Sequence, residues 1–532
     1  MKHLLTFIVA LVAVSSFIMT SCVKEEFDMD TVQATNWDPN FAAPLINSDL
    51  DMWDILKDYD STDLLVIDSN QFIYLVYEDT VYSESAEDLI NIPDQAFNYS
   101  DNVTVPGGNL SGTYNTLLSF DYDFSLTGGI ELDTMVLKDG DLSMTLNTDL
   151  NYPATIIVTI PGATQNGVPY EDTLVVTGPS VNISSQLDGT KLVFDAANPN
   201  RLTINYDITM VGTGQTNNSP YSLSFDMSFT NLRFKRLYGY MGQLNLSMNN
   251  DTIGVKLYNN NIEGFIDWED PRLYINVFNT MGLPIRTTID YLEAVRTNAP
   301  INSQVITGSG IPNPWDLNYP ATYGQTSITT MLLTKANSNI DVALSITPQR
   351  VYALLSGQTN PDGNVVKNHI EDDDQLAVEA KLELPFYGTA SNFVLQDTFD
   401  LSIGEDLSNI DWIKFKIWTR NGFPVDGVVQ LYFCDSLYNV TDSLLNPVEQ
   451  VLVAATPGAA PDYIVTNPVE KMVITTFQHD RVMNLENVKY AIVRGTLNTY
   501  NNGTQLVKIY SYYRLGVRLS AQVQAMFNSN EF

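Results

Sequence analysis

From about residue 36 onward, apolar and polar residues alternate in short runs bounded by Gly, Asn and Asp. A period of two sends successive side chains to opposite faces of a strand, so the pattern predicts β-structure almost throughout. Residues 64–67 and 72–77 flank a polar connection at 68–71, which predicts a hairpin. Lys138-Asp139-Gly140-Asp141 places an Asp-Gly dipeptide between two apolar runs and predicts a turn. The clearest alternation lies near the C-terminus. There Tyr513, Leu515, Val517, Leu519, Ala521, Val523, Ala525 and Phe527 are apolar, and the residues between them are mostly polar. A strand over 513–527 would be about 50 Å long, with one face on a core and the other wet. Helix is scarce. A short one is predicted near 49–57, with Ser48 as N-cap and Asp51 completing an imperfect capping box. Another is predicted over 338–345, stopped by Pro348. No run of alternating strands and helices is present, which argues against a nucleotide-binding parallel sheet.

An internal repeat organises the chain further. Ile266-Asp267-Trp268 recurs as Ile410-Asp411-Trp412. Each copy leads through an alternating strand into an Asn-Gly-type turn and an apolar-Pro-apolar triplet, Leu283-Pro284-Ile285 or Phe423-Pro424-Val425. The first copy has four extra residues between Trp and Gly, as a diverged duplication would. The fold expected is therefore all-β, built from tandem antiparallel β-sandwich-like modules with long strands and very little helix. The organisation expected is a signal peptide at 1–21, a tether at 22–35, N-terminal β-modules over 36–298 and a C-terminal β-module over 299–532.

Composition changes this picture in two ways. The 532 residues include 27 Lys+Arg against 62 Asp+Glu, a net charge of −35. Such a polyanion lacks the cations that neutralise nucleic-acid phosphates, so a nucleic-acid partner is not expected. With 44% apolar residues, 28 Tyr and 23 Phe the chain can nonetheless fill real cores, and with only 2 Cys it cannot hold a disulfide framework.

The N-terminus supplies an address. Lys2 and His3 precede an apolar stretch at 4–19, interrupted by Ser15 and Ser16, which reads as a signal peptide and is too short for a comfortable membrane span. The stretch ends Met19-Thr20-Ser21-Cys22 and resembles a lipoprotein box, with Met19 where Leu is usual. The resemblance implies that Cys22 becomes the lipidated N-terminus and inserts acyl chains into the outer-membrane lipid. Lys24-Glu25-Glu26 resembles the export signal of surface-exposed lipoproteins of the Bacteroidota, a basic residue and two acidic ones after the lipidated Cys. It implies an outer-membrane protein, lipid-anchored and facing the cell exterior. Losing Lys2 with the leader makes the net charge one unit more negative than −35. An anionic surface would repel such a body, so acyl chains must supply the hold.

Catalytic chemistry finds little support. The histidines after Cys22, His369 and His479, are far apart, and neither a Gly-x-Ser-x-Gly elbow nor a phosphate loop is present. No His/Cys spacing fits zinc, so no metal and no cofactor is expected. Cys434 lies in an alternating run and reads as a small buried hydrophobe. The acidic runs Glu371-Asp372-Asp373-Asp374 and Asp49, Asp51, Asp54, Asp58, Asp60 and Asp63 do not fit a twelve-residue calcium loop. They read as solvated acidic segments. Paired carboxylates for glycoside hydrolysis remain open, because linear sequence does not show which two would meet.

Two features point outward. Residues 297–326 form a Pro-, Gly- and Asn-rich connection holding Trp315, Tyr319 and Tyr323. These rings either stack on a sugar or anchor a protein partner, or they fold back to seal a boundary between modules. Asp followed by Ser or Thr and then an apolar residue resembles the O-glycosylation signal of exported Bacteroidota proteins. It marks Thr80, Thr134, Thr173, Thr252, Ser436 and Ser443. Asn36-Trp37-Asp38-Pro39, Leu237-Tyr238-Gly239-Tyr240-Met241-Gly242, Glu269-Asp270-Pro271-Arg272 and Gly282-Leu283-Pro284 are similar to a family of uncharacterised Bacteroidota surface lipoproteins. That resemblance brings no catalytic motif. The expectation is a lipid-anchored cell-surface interaction protein without catalysis, an extracellular structural subunit docking on an outer-membrane β-barrel protein complex. The alternatives are a surface glycan-binding lipoprotein and, third, a carboxylate-based hydrolase.

Overall fold

The computed structural model describes residues 36–37, 39–56, 65–247, 251–259, 261–401 and 406–528. The leader, the tether and their candidate residues Cys22, Lys24, Glu25 and Glu26 lie outside the described residues. The chain begins with β1 (Asn36–Trp37), β2 (Asn40–Leu50), α1 (Met52–Leu56), β3 (Leu65–Ile67), β4 (Ile73–Ser85) and α2 (Ala86–Leu89). Nine strands follow: β5 (Gln95–Val103), β6 (Asn109–Asp123), β7 (Glu131–Thr148), β8 (Ala154–Gln165), β9 (Val168–Val176), β10 (Ser180–Gln186), β11 (Thr190–Val193), β12 (Arg201–Thr216) and β13 (Tyr221–Tyr240). Next come β14 (Asn245–Ser247), β15 (Asp251–Gly254), β16 (Asn261–Trp268), β17 (Arg272–Asn279), β18 (Ile285–Arg296), β19 (Asn302–Val305), β20 (Trp315–Leu317), β21 (Ser327–Thr334), α3 (Ile340–Ser345), β22 (Arg350–Thr359), β23 (Asn368–Glu371) and β24 (Gln375–Pro385). The last stretch holds β25 (Tyr387–Asp400), β26 (Ile410–Asn421), β27 (Val425–Cys434), β28 (Val440–Ser443), β29 (Val469–Gln478), α4 (His479–Met483), β30 (Tyr490–Thr499), β31 (Val507–Lys508), β32 (Leu515–Ala525) and β33 (Phe527–Asn528). The fold is all-β and antiparallel, as the alternation predicts.

Strand pairing reveals two sandwiches of one topology. In the first, a sheet ordered β21-β17-β24-β4 is matched by a second sheet of β14 and β15 beside β22-β18-β19. In the second, β29-β26-β32-β2 is matched by β25-β30-β27-β28. Each strand has its counterpart at the same point of the path, and a short helix precedes β22 and β30 alike. The turn chemistry agrees. Asn279 and Asn421 end equivalent strands, both are buried, and each side-chain carbonyl accepts the backbone N–H two residues on, Met281 at 3.0 Å and Phe423 at 2.9 Å. Pro284 and Pro424 then present carbonyls to the N–H groups of Asn360 and Tyr500, each just past the end of a partner strand. The duplication is real, but Ile266-Asp267-Trp268 does not carry it. That triplet closes β16, whereas Ile410-Asp411-Trp412 opens β26, so equivalent positions run from Arg272 and Lys414 to Asn279 and Asn421.

The three β-units are nested rather than strung in series. Residues 95–240, between α2 and β14, form a further sandwich whose faces are β5-β13-β7-β10 and β6-β12-β8-β9, joined where β11 pairs with both β7 and β8. Tyr206 stacks on Phe225 between its faces, with centroids 4.1 Å apart. The first sandwich closes around this insertion, because β4 precedes it and β24 follows it. The second sandwich takes β2 from the start of the chain, β16 as an edge strand beside β25, and its other paired strands from residue 387 onward. Pairing also crosses residue 298, since β18 bonds to β19 and β22. One continuous core spans the insertion and the first sandwich. Phe72, Ile73, Phe423, Tyr510 and Tyr513 form the joint between the two duplicates.

Three local expectations change. Asp139-Gly140 makes no turn. It lies within the 18-residue β7, where apolar burial shifts phase from Met135 and Leu137 to Leu142 and Met144. Register against β13 breaks at the same place, so the dipeptide marks a bulge. Ser48 stays in β2, and the Asp51 carboxylate accepts the Asp54 N–H at 2.9 Å to start α1. The C-terminal strand is shorter than 513–527 because Tyr513 turns inward and its hydroxyl accepts the Val465 N–H. The predicted hairpin forms over the described residues 65–77, with Leu65 opposite Leu75. The second predicted helix also forms, as α3.

Candidate functional site

Trp315, Tyr319 and Tyr323 separate on folding. Trp315 is buried in β20, paired to β18, and its carbonyl accepts the Thr287 hydroxyl. Tyr323 lies edge-on to His369, with Arg236 over its ring at 5.3 Å, and its hydroxyl donates to the Leu237 carbonyl at 3.0 Å. Tyr323 thus seals the seam between the insertion and the first sandwich, Trp315 packs within the first sandwich, and of the three only Tyr319 is exposed. His369 is wedged against Gly282, where a Cβ would overlap the ring. His479 opens α4 and its Nδ1 lies 2.7 Å from the Ile410 carbonyl. Cys434 is fully buried, and burial pushes its thiol up from the ordinary value.

The acidic run on β23 serves the same seam. Glu371 bonds Arg236, Asp372 bonds Lys138, and Asp374 is buried with its carboxylate accepting the Glu371 N–H. Burial raises the Asp374 carboxyl above the usual range. Asp49, Asp51 and Asp54 surround the start of α1, and Asp58, Asp60 and Asp63 lie outside the described residues. Of the glycosylation candidates, Thr80, Thr173 and Ser436 are exposed, while Thr134, Thr252 and Ser443 are half-buried. Ser443 is further tied down, since neighbouring Asp442 holds Arg481 at 2.8 Å. Burial opposes ionisation of Asp442, but Arg481, the Ser443 N–H and Asn484 together outweigh it and keep that carboxyl below the usual range.

Comparing the outer faces of the two equivalent sheets locates a more distinctive surface. On the first sandwich, a groove of about 550 Å³ is lined by Val66, Asp68, Tyr74, Val76, Glu78, Arg272, Lys381 and Glu383. Its cations are neutralised within the molecule. Lys381 contacts Glu383 at 2.9 Å, and Arg272 contacts Glu383 at 3.8 Å and also Asp270. Partial burial and neighbouring Glu379 push Glu78 above the usual carboxylate value.

The second sandwich replaces those carboxylates. Where Glu383 faces Arg272, Gln522 faces Lys414; where Glu379 faces Asn276, Arg518 faces Trp418. The outward row of β26 thus reads Trp412, Lys414, Lys416, Trp418 and Arg420, because the alternate residues Ile413, Phe415 and Ile417 pack inward. Lys414 Nζ lies 4.9 Å from the Trp412 ring centre, and Arg518 Cζ lies 4.5 Å from that of Trp418. Neighbouring β29 adds Met472, 59% exposed, and Ile474, 50% exposed, opposite Trp418 and Lys416. Arg420 approaches Glu470 at 3.7 Å. Among the described residues, Lys414, Lys416 and Arg518 have no carboxylate within salt-bridge reach. Among the described residues β29 pairs with β26 alone, leaving its other edge open. Sequence reading had the period-two signal for this row, with apolar residues at 413, 415 and 417 and indoles in the opposite phase. It lacked the strand order that sets Arg518 and Met472 beside them.

No protein-family model matches the chain, and a search of curated proteins finds no match. Among solved structures, the chain is similar at 12% identity to a protein of Parabacteroides distasonis provisionally named as secreted, over 52% of this chain and 82% of that one, with a TM-score of 0.27. A subviral particle of infectious bursal disease virus VP2 aligns at 9% identity over 88% and 83% of the two chains, with a TM-score of 0.13. Likeness this slight carries no argument about fold or activity.

Proposed function

We propose that this chain is a lipid-anchored interaction protein on the exterior of the outer membrane, without catalysis, and a structural subunit docking on an outer-membrane β-barrel protein complex. The observation that supports docking most directly is β29. It is a ten-residue sheet edge, open on one side among the described residues, with Met472 and Ile474 half or more exposed beside Trp418. Open apolar edges invite another chain to add a strand, and soluble proteins ordinarily blunt them with charge or cover. Trp, Met and Arg are also the residues enriched at the centres of protein interfaces. Cys22 supplies the anchor, and Lys24-Glu25-Glu26 the outward address.

The test is co-purification from detergent-solubilised membranes. Native protein should bring down a barrel protein, and Met472→Lys with Ile474→Lys should lose at least 90% of it while the thermal melt is preserved. Recovery of no barrel protein by the native chain would count against docking.

A second reading, surface glycan binding, finds support in Trp412 and Trp418 rather than in buried Trp315. Indoles on a flat sheet face offer planes on which sugar rings stack.

A further inference from the structure

We propose that the outer face of the β29-β26-β32-β2 sheet binds an anionic polysaccharide, laid along β26 across Trp412 and Trp418. The inference rests on the glycan reading and adds the charge of the ligand and the place where it lies.

Charge is the first argument. Acidic residues outnumber basic ones by 62 to 27, so a surface cation ordinarily finds a carboxylate. The equivalent face of the first sandwich behaves that way, with Arg272 and Lys381 both neutralised internally. On the second sandwich the corresponding carboxylates have become Gln522 and Arg518, and Lys414, Lys416 and Arg518 are left for an external anion. Repetition is the second argument. Trp412 with Lys414 and Trp418 with Arg518 are two copies of one device, an indole with a cation against it. Six residues of strand at about 3.3 Å separate the copies by about 20 Å. A polymer of repeating acidic sugars can meet both copies with the same chemistry, its carboxylates on the cations and its ring C–H faces on the indoles. Shape is the third. Four strands about 4.8 Å apart make an extended strip suited to a linear chain rather than a pocket for a small molecule.

The probe is polygalacturonate, with uncharged dextran and phosphatidylglycerol-containing vesicles as comparisons, offered to the full lipidated protein in detergent. The expected result is polygalacturonate binding that weakens at least tenfold in Trp418→Ala and in Lys414→Glu with Lys416→Glu. It should also weaken at high salt, and persist in Lys335→Glu elsewhere on the surface. Trp418→Phe keeps a ring and should retain most of the binding, which guards against a folding defect in the alanine variant. Equal binding of dextran would leave the glycan reading standing and sink the anionic one. Binding of neither polymer would overturn both readings without touching docking. Preference for the vesicles, or binding indifferent to the substitutions, would also overturn the proposal.

Discussion

Asn421 shows how much a single buried amide can hold. Its carbonyl takes the Phe423 N–H at 2.9 Å, and its NH₂ donates to the Val425 and Val453 carbonyls at 2.7 and 2.9 Å. Asn421→Ala strands three backbone groups in a site only 2% exposed. Each unsatisfied group costs about 1–3 kcal/mol, less whatever water recovers. The expected loss is about 2–4 kcal/mol, read as a shift in the denaturant midpoint without a change in slope. Asn279 in the first sandwich should behave alike. Both were visible in the sequence as turn residues before an apolar-Pro-apolar triplet. Their shared burial was not visible, because it depends on which loops close over each strand end.

At the scale of elements, Gly264 in β16 is the informative position. It has φ of +80°, and a Cβ there would run into the Asn392 carbonyl of β25. Through this bulged pairing β16, which leads into the first sandwich, adds a fifth strand to a sheet of the second. Gly264→Ala should cost about 2–4 kcal/mol, from the left-handed backbone and the displaced strand together. Limited proteolysis should show the loss as faster cleavage near 261–268. Strand phases were legible element by element. The inward set of β32, Leu515 through Ala525, is the one its alternation predicts. Bulges were harder to read, since Asp-Gly favours a hairpin turn locally, and the long-range partners of β7, with β13 on one side and β10 and β11 on the other, keep the chain extended there. The candidate face suffered from the same limit. Its β26 row was written in one segment, but its unpaired cations are defined by partners more than 90 residues away.

For the whole molecule, anchoring is the prediction that matters. Cys22→Ser should leave the sandwiches folded and release the protein from membranes, measured by fractionation and near-ultraviolet circular dichroism. Replacing Lys24, Glu25 and Glu26 by alanine should retain the lipid and hide the protein from protease added to intact cells. Persistence of Cys22→Ser protein in the outer membrane would mean that a protein partner alone suffices to hold it, whereas continued protease access to the alanine variant would remove the export reading. Duplication was detectable from the two turn motifs. Nesting was not, because no local pattern announces that a strand near residue 45 pairs with one near residue 520.

That pairing sets a timetable for synthesis. β2 leaves the ribosome long before its partner β32. The insertion can close once residue 240 has emerged, and the first sandwich once β24 follows. The second must wait for β32, with β2 unpaired in the interval. A chain cut short before residue 515 would leave the end that bears Cys22 attached to a strand with no sheet to join. Closure of the second sandwich around the N-terminal strand thus becomes conditional on synthesis having reached β32.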